Sequence, residues 1–484
     1  MTSSSSSLPV KIGLEIHCQL TQLNTKLFCS CYCNYREKEI NSNICPICIG
    51  LPGSLPVLNK KAVEFAIMIS KALDCKIPEL TVFSRKNYFY PDLPKNFQIT
   101  QYDSYGTSTS IGKEGSVKYG ENDKLARIRR IQLEEDPGRL VYENGRMQAL
   151  IDYNRAGVAL VEIVTEPDFT DPKDVRIFLN KMTSILEHLN ICNTNLEGSL
   201  RCDANISIGN GKKVEIKNVG SFSDIEKALT YEITRQKTMT VHDIEIKAET
   251  RHWDDKRKIT KQARSKEEEE DYRYFPEPDI PKILLENLYL IKTPELPDER
   301  KFRFINDYGL SEHVSQVLID NKDLADLFES ATKIYHSPKS ISNWIVSDIL
   351  AFMEYDSSGK KTITDEMKID AKHIAEIAKL VDDNTINRST AKSIISRIIK
   401  TGELPSDIIK KEKQATTIIN DEKILLESID RIFKEEKKAM LDAKQNPTAI
   451  NFLLGKIMRL TKGRADPKIT TILLKKRLDD ESLI

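Results

Sequence analysis

The sequence has no net charge of either sign, because 73 lysine and arginine residues balance 73 aspartate and glutamate residues in a chain of 484. This balance excludes a uniformly basic nucleic-acid coat protein, so any surface that binds RNA must be local and offset by acidic residues elsewhere. No apolar stretch approaches the roughly 20 residues that cross a bilayer, which excludes a membrane-spanning function. The length predicts roughly two to four domains.

The sequence also lacks a targeting signal and the common nucleotide-binding loops. The opening MTSSSSSLPV has neither the apolar core of a secretory signal nor the arginine of a transit peptide. We therefore expect residues 1–8 to form a disordered N-terminus and the protein to be cytoplasmic. In that compartment thiols stay reduced, so the nine cysteines do not predict a disulfide framework. Neither GxxxxGK(S/T) nor GxGxxG occurs, so a P-loop does not hold ATP here.

Five of the nine cysteines fall between residues 29 and 48, in two close pairs with one cysteine over. Two close thiolate pairs supply the ligands of a closed tetrahedral Zn²⁺ site, whereas the alternative is a loop of reduced, unligated cysteines. Such a site at residues 29–50 would be structural, because four protein ligands leave no open position for chemistry. Cys33 would be the spare thiol. The predicted ligands are Cys29, Cys31, Cys45 and Cys48.

Residues 11–20, KIGLEIHCQL, alternate between apolar and polar side chains, which predicts a half-buried β-strand. Glu15 and His17 lie on its polar face. A carboxylate beside an imidazole can bind a metal ion or act as an acid–base pair, although the same pair is also common on a solvated strand face.

Three further segments repeat this alternation. LRCDANISI places Asp203 on a polar face, VEIKNV places Glu215 and Lys217 outward, and IRRIQLEEDPGR ends with Glu134 and Glu135 before a Pro-Gly turn. If these antiparallel strands share one concave surface, their carboxylates form an oxygen-rich cage suited to Mg²⁺ and a phosphorylated ligand. The alternative is a polar outer face of a sheet, since the sequence does not show that the strands converge.

Basic and aromatic residues are interleaved in FSRKNYFYPDLPKNFQITQYD, where Arg85, Lys86 and Lys95 stand among tyrosines and phenylalanines. This composition can hold phosphate and stack on bases or adenine. A rigid loop packed against the zinc knuckle would have a similar composition, so both interpretations stay open at this point.

Ten segments of the chain share their residues and their order with one family. They are GLEIHCQL, CPICIGLPGSLPVLN, RKNYFYPDLPKNFQITQYD, LEEDPG, DYNRAGVALVEIVTEPD, EGSLRCDANISI, EIKN, ETR, DYRYFPEPD and PELPDER, between residues 13 and 300. The chain thereby resembles the GatB subunit of the tRNA-dependent amidotransferases, with weaker similarity continuing to the C-terminus. The cysteine-rich knuckle, LEEDPG and VTEPD are most similar to archaeal members.

The resemblance implies a two-step reaction on misacylated tRNA. The GatB subunit uses ATP to phosphorylate the side-chain carboxylate of Asp-tRNA(Asn) or Glu-tRNA(Gln), and glutamine-derived ammonia then displaces the phosphate to give the amide. The chain shows no amidase signature, so a glutaminase A subunit is implied, together with a small C subunit in a heterotrimer.

The resemblance also implies a set of site residues. The family's Mg²⁺ ligands match Glu15, His17, Glu135, Asp203 and Glu215, and its zinc ligands match Cys29, Cys31, Cys45 and Cys48. We expect Glu134 to belong to the same catalytic set. Arg85 and Lys86 are expected, because of their charge, to contact ATP or the tRNA end, and Lys217 is assigned with them.

The expected fold is α+β, with an antiparallel-sheet cradle domain followed by two helical domains. Residues 9–294 form the cradle, with its zinc knuckle at 29–50, and residues 295–408 form an all-helical domain. Residues 409–484 form a small helical tail domain. Apolar residues recur at helical spacing in the middle section and predict a core stripe. These residues are Ile341, Trp344, Ile345, Ile349 and Phe352.

The tail is locally basic, with eight basic residues and one acidic residue between Asn451 and Leu478. The resemblance assigns this region to contact with the tRNA body, and the loop KGRADP between two short helices can reach phosphates. A solvated helical face is the alternative. The predicted tRNA-binding residues are Lys456, Arg459, Lys462, Arg464 and Lys468.

Two other functions compete with this interpretation. The first is the paralogous subunit specific for Glu-tRNA(Gln). That subunit carries an insertion before its helical domain, and the segment that follows Asp279 in this chain is too short to contain it. The second is a non-catalytic, zinc-stabilised RNA-binding scaffold, which would not require all five carboxylate and histidine positions to be filled.

Overall fold

The structure of the chain is a computed structural model. It describes residues 8–103, 109–120, 122–142, 149–263, 272–355, 361–362, 367–411, 419, 421–445, 447–461 and 464–479. Residues 1–7 of the predicted N-terminal segment lie outside these ranges. One compact unit extends to Arg300, and a second begins at Lys301. None of the described helices combines the length and apolar character needed to span a bilayer.

The first unit contains most of the strands, and the second unit is mainly helical. The strands are β1 Val10–Gln19, β2 Leu80–Thr81, β3 Ser84–Asn87, β4 Phe97–Thr100, β5 Gly112–Tyr119, β6 Lys124–Glu135, β7 Arg139–Tyr142, β8 Ala149–Asp152, β9 Ala159–Thr165, β10 Leu200–Ile208, β11 Val214–Lys217, β12 Glu249–Asp254, β13 Ile259–Gln262, β14 Phe275–Pro276, β15 Ile283–Leu284, β16 Glu354–Tyr355 and β17 Lys361–Thr362.

The helices follow the same division. They are α1 Lys60–Ala72, α2 Pro172–His188, α3 Phe222–Val241, α4 Pro297–Asn306, α5 Glu312–Ile319, α6 Lys322–Ile334, α7 Pro338–Trp344, α8 Ala371–Asp382, α9 Arg388–Thr401, α10 Pro405–Lys411, α11 Glu422–Glu435, α12 Lys437–Gln445, α13 Pro447–Leu460 and α14 Pro467–Asp479. A 3₁₀ turn spans Glu286–Leu288, and a π-helical turn spans Ile345–Ile349.

An eight-stranded sheet forms the centre of the first unit, in the order β13-β12-β11-β10-β1-β9-β6-β5. Its neighbouring strands are antiparallel except for the parallel pair β11 and β12. The predicted antiparallel sheet is thus confirmed. On β1, Ile12 and Ile16 are completely buried, so the alternation in the sequence separates an apolar face from a polar face.

Helices α2 and α3 pack against each other, and they contact the sheet through β5 and β10. Phe178 and Met182 of α2 are completely buried in this layer. The helix begins at Pro172, directly after Asp171, whose carboxylate accepts a hydrogen bond from the Lys173 amide. Because the helices use the apolar face, the polar side chains of the same strands point to the opposite side of the sheet.

Two smaller elements flank the sheet. Helix α1 packs against β5 and β6, and its N-cap Asn59 also donates to the Thr25 carbonyl, which ties the helix to the cysteine-rich segment. A three-stranded sheet in the order β14-β3-β4 carries Arg85 and Lys86 on its central strand.

The second unit contains two separate apolar clusters, one from Phe304 to Ile408 and the other from Leu425 to Leu478. The boundaries at 294 and 408 stay predictions. Four of the five residues in the predicted stripe are buried, but Phe352 is 42% exposed. Phe352 lies three residues beyond Ile349, where the helical segment ends, so it falls in a turn outside the helix that the stripe assumed.

Candidate functional site

A cavity of about 740 Å³ opens on the polar face of the eight-stranded sheet. Its size falls in the range of about 300–1,000 Å³ that is typical of small-molecule sites. Acidic and basic side chains share the lining, and Tyr272 and Tyr274 contribute aromatic surface. The acidic residues are Glu15, Glu134, Glu162 and Glu215, and the basic residues are Lys11, Lys86, Arg129, Arg130, Lys213 and Lys217.

Strand register brings these side chains together. Glu15 of β1 pairs with Asp203 of β10, and His17 pairs with Glu162 of β9. In turn, Glu215 of β11 pairs with Asn205 of β10. Directly opposed residues in an antiparallel pair point to the same face, so these polar residues project from one side of the sheet. The polar faces of these strands, which the sequence alone could not bring together, therefore converge on one side of the sheet.

Glu15, His17 and Glu162 form a group that can hold a metal ion, since one ligand atom from each lies within 4.8 Å of the others. The His17 Nε2 atom is 3.5 Å from Glu15 Oε1 and 4.0 Å from Glu162 Oε2. Burial lowers the pKa of His17 to about 4, against the opposing effect of Glu15. The imidazole is therefore neutral at pH 7, which is the form that binds metals.

Burial also raises the pKa of Glu162 well above its usual range, and the neighbouring carboxylates Glu15 and Glu134 add to this shift. Three glutamates around one buried position repel one another when they are ionised. A divalent cation would remove this repulsion, and carboxylate oxygens are the ligands that Mg²⁺ prefers. The donor set therefore fits a hard divalent cation.

Asp203 and Glu215 are held by Lys217, whose Nζ is 3.4 Å from Asp203 Oδ2 and 3.5 Å from Glu215 Oε1. Burial raises the pKa of Asp203 to about 6, although Lys217 opposes this shift. Burial alone would lower the pKa of Lys217, but Asp203 and Glu215 raise it. The ammonium thus stays charged between these two carboxylates, beside the metal-competent group.

Lys86 enters the cavity from β3 between aromatic rings. Its Nζ is 4.7 Å from the ring centroid of Tyr272 and 5.9 Å from that of Tyr88. Burial alone would lower the pKa of Lys86, but Tyr274, Glu134 and Glu162 raise it. A charged ammonium therefore faces the glutamates, in a position suited to an anionic ligand.

Glu135, predicted as a Mg²⁺ ligand together with Glu15, lies elsewhere. It lines a second cavity of about 220 Å³, where its carboxylate pairs with Lys95 and accepts a hydrogen bond of 2.9 Å from the Ile99 amide. Adjacent residues of a strand point to opposite faces, so Glu134 and Glu135 cannot both face the first cavity. Glu134 occupies the position that was assigned to Glu135.

Arg85, predicted to contact ATP or the tRNA end, also lines the second cavity. Its guanidinium forms two hydrogen bonds with Glu277, at 2.7 Å and 2.8 Å, and lies 4.3 Å from the Phe97 ring centroid. A bidentate ion pair of this kind fixes the planar guanidinium. The neighbouring residues Arg85 and Lys86 therefore line different cavities.

Cys29, Cys31, Cys45 and Cys48 form a second group that could hold a metal ion, with their sulfur atoms within 4.8 Å of one another. The Cys45 amide donates a hydrogen bond of 3.1 Å to Cys48 Sγ. The pKa of Cys48 falls to about 5, chiefly because Cys29 donates a hydrogen bond to it. Cys33 is buried outside this group and contacts the Leu20 carbonyl, in agreement with its assignment as the spare thiol.

The predicted tRNA-binding residues have different surroundings. Lys456 pairs with Glu436 at 2.6 Å, whereas Arg464 donates to the Thr461 carbonyl at 3.2 Å in the connection between α13 and α14. Arg459 and Lys468 are exposed. Lys462 lies outside the described residues.

Sequence reasoning missed Glu162 and Glu277. Glu162 could have been found from the alternation in ALVEIVT, which places it on the opposite face from Val161 and Ile163. Glu277 had no such signal, because it follows a two-residue strand, β14, and its partner Arg85 is distant in sequence.

Fold and site together define an α+β protein whose antiparallel sheet carries a cation-competent, carboxylate-lined cavity, with a separate four-cysteine centre. Comparison with protein families then places the chain more closely. Residues 10–290 match the GatB/GatE catalytic domain, and residues 326–478 match the GatB domain. The chain belongs to the GatB family.

Curated relatives align with nearly the whole chain. A protein of the archaeon Sulfurisphaera tokodaii is 47% identical over 479 residues, which cover 97% of this chain and 99% of the relative. Proteins of Thermotoga maritima and Carboxydothermus hydrogenoformans are 42% and 41% identical, over 97% and 96% of this chain and 99% and 98% of each relative. All three carry the name of the B subunit of aspartyl/glutamyl-tRNA(Asn/Gln) amidotransferase.

Proposed function

We propose that this chain is the GatB subunit of an amidotransferase that converts Asp-tRNA(Asn), Glu-tRNA(Gln) or both to the corresponding amides. The observation that carries the proposal is the identity of 41–47% with relatives of that name, over 96% or more of the chain. The carboxylate-lined cavity supports it independently, because the reaction must bring an amino-acid carboxylate and ATP into one site.

Activation of the substrate carboxylate by ATP would take place in the 740 Å³ cavity. Phosphoryl transfer to a carboxylate brings several negative charges together, so it depends on positioning and on charge neutralisation. Lys86, Arg130 and Lys217 line the cavity and would bind the phosphates and the substrate carboxylate. Glu15, His17 and Glu162 would hold Mg²⁺, which when bound with ATP supplies further charge neutralisation.

Asp203 and Glu215 have a positioning role in this proposal. Both carboxylates contact Lys217, so they keep its ammonium directed along the polar face of the sheet. Glu134 and Glu162 line the same cavity as Lys86 and raise its pKa electrostatically. The chain thus presents cationic groups beside neighbouring acids that favour their charged forms.

Amide formation would follow when ammonia attacks the phosphorylated carbonyl carbon, so that a C–N bond forms and the C–O bond to phosphate breaks. Ammonia must arrive unprotonated, which favours a protected route over bulk water. The sequence contains no amidase signature, so a glutaminase A subunit and a small C subunit are the proposed partners. The proposed site of action is the cytoplasm.

We assign zinc to the four-cysteine group and a structural role to that centre, because four cysteine ligands fill a tetrahedral site. The basic region made of α13, α14 and their connection would contact tRNA phosphates through the exposed residues Arg459 and Lys468, with Lys456 and Arg464 in the same region. Lys462 stays a predicted contact outside the described residues.

A transamidation assay tests the proposed function. The chain, assembled with its A and C partners, is given ATP, Mg²⁺ and glutamine with Glu-tRNA(Gln) and Asp-tRNA(Asn) in separate reactions. We expect ATP-dependent amide formation on at least one of them, and no product when this chain is omitted. A complex that hydrolyses glutamine but amidates neither tRNA would contradict the proposal, and product from Glu-tRNA(Gln) alone would favour the narrower paralogous specificity.

A further inference from the structure

Lys26 is completely buried, although lysine side chains usually keep their amine in solvent. Its Nζ is 2.9 Å from the Asn43 carbonyl oxygen and 3.7 Å from Cys48 Sγ. Neither partner is a carboxylate. The reaction proposed above makes no use of this side chain, which lies outside both sets of cavity-lining residues.

A buried ammonium is costly unless a negative group compensates it. Four thiolates around Zn²⁺ carry two net negative charges, and one of the four sulfur atoms is in contact with Lys26. The position of the lysine and the charge of the loaded centre therefore complement each other.

The surrounding backbone holds Lys26 at this point. Its amide donates a hydrogen bond of 2.9 Å to the Cys31 carbonyl, so the residue contacts both cysteine pairs. Gly157, with a φ of +85°, lies alongside, and a Cβ atom there would stand 3.6 Å from Lys26 Cδ and 3.5 Å from Cys48 Cβ. Glycine suits this backbone conformation, and at these distances the position packs directly against both residues.

We propose that Lys26 is the charge partner of the four-cysteine centre, donating an N–H···S hydrogen bond to Cys48 and neutralising half of the centre's net charge. The inference rests on the zinc site proposed above. Lys26 acts through the metal's ligands, so it is a positioning residue for the knuckle rather than a catalytic residue. Hydrogen-bonding partners of metal ligands typically change metal affinity about 10- to 100-fold.

The test measures zinc affinity in the purified full chain with its partner subunits, by competition with a chromophoric chelator. Lys26→Met removes the charge and the donor, whereas Lys26→Gln keeps an N–H donor without the charge. We expect both variants to bind zinc at least about 10-fold more weakly than the wild type. Lys95→Met is the matched control, since it removes a lysine whose side chain is 10% exposed and pairs with Glu135 instead of a sulfur, and its zinc affinity should be unchanged.

Co²⁺ substitution supplies a readout that a packing role alone would not move. Loss of the ammonium raises the energy of the sulfur electrons, so the sulfur-to-cobalt charge-transfer band should shift to lower energy in both variants. Wild-type affinity and spectrum in Lys26→Gln would overturn the charge role, and this variant alone decides if Lys26→Met does not fold. A folded wild type that binds no zinc would instead overturn the zinc centre itself.

Discussion

Asp136 shows how single residues of the first unit tolerate buried charge. It is 1% exposed, its Oδ1 is 3.0 Å from Arg201 Nη2, and the Gln19 side-chain amide donates to its Oδ2. Burial would raise the pKa of this carboxyl group, but Arg201 and Arg155 lower it overall. The ionised form is therefore the stable one in the folded protein.

This arrangement predicts a specific pH dependence for Asp136→Asn. Since the folded-state pKa is lowered, the stabilisation is complete above the ordinary aspartate pKa of about 3.9 and is lost as the pH falls through the lower value. We expect a loss of about 3 kcal/mol at neutral pH, because a buried ion pair is broken. Thermal unfolding of the wild type and of Asp136→Asn between pH 8 and pH 3 measures this loss of stability.

The difference in Tm between wild type and Asp136→Asn should stay constant down to about pH 4.5 and shrink only below that. Asp255→Asn, which breaks an exposed pair with Lys258, is the control and should cost less than about 1 kcal/mol. A Tm difference that grew as the pH fell would contradict the assignment of an ionised Asp136.

At the residue scale, the sequence predicted which charged residues are candidates for a site better than it predicted the ion pairs that they form. Glu15 was predicted as a Mg²⁺ ligand and Lys86 as a contact of ATP or the tRNA end, and both line the first cavity. Glu135 and Arg85 were predicted for the same two roles, but they line the second cavity with Lys95 and Glu277. The roles themselves stay predictions. Which ion pair a charged side chain forms depends on strand register and loop path, and these are long-range properties that local pattern does not contain.

At the scale of elements, the alternation of apolar and polar residues was sufficient to predict the main strands. It predicted β1, β10 and β11, and also the apolar face that α2 and α3 cover. It could not predict the order of the sheet, in which β1 lies between β9 and β10, far from its sequence neighbours. Nor could it predict where this helical segment ends, because the apolar spacing continues to Phe352 although the helix ends at Ile349.

Arg459 in the last turn of α13 and Lys468 in the first turn of α14 flank the connection between these helices, and the prediction at this scale concerns these two residues. Arg459→Glu together with Lys468→Glu should weaken binding of the complex to tRNA at least about 10-fold. The slope of log K against the logarithm of the salt concentration should become shallower by the equivalent of about two phosphate contacts. Both residues are exposed, so the fold should be unaffected. Filter binding at several salt concentrations measures the effect.

The control reverses the same number of charges on another helix of the same region. Lys423 and Lys434 are exposed residues of α11, and Lys423→Glu with Lys434→Glu should leave the salt slope close to that of the wild type. Equal effects of the two double variants would mean that net charge alone, and not the α13–α14 connection, determines tRNA affinity.

At the scale of the whole molecule, the balance of 73 basic and 73 acidic residues conceals a division of charge. Glutamates gather around the cavity of the first unit together with lysines and arginines, while basic residues dominate the C-terminal part of the second unit. A neutral total is therefore compatible with both the proposed cation site and the proposed RNA-binding surface.

The role of the cavity is tested most directly by removing two carboxylate charges from the polar face of the sheet and measuring amide formation on misacylated tRNA. Glu15→Gln with Asp203→Asn keeps the size of both side chains and removes two charges from the polar face of β1 and β10. In the complex with the glutaminase and the small third partner, we predict loss of amide formation on misacylated tRNA while glutamine hydrolysis and tRNA binding persist. Full amidation by this variant would contradict the assignment of the cavity as the site of carboxylate activation.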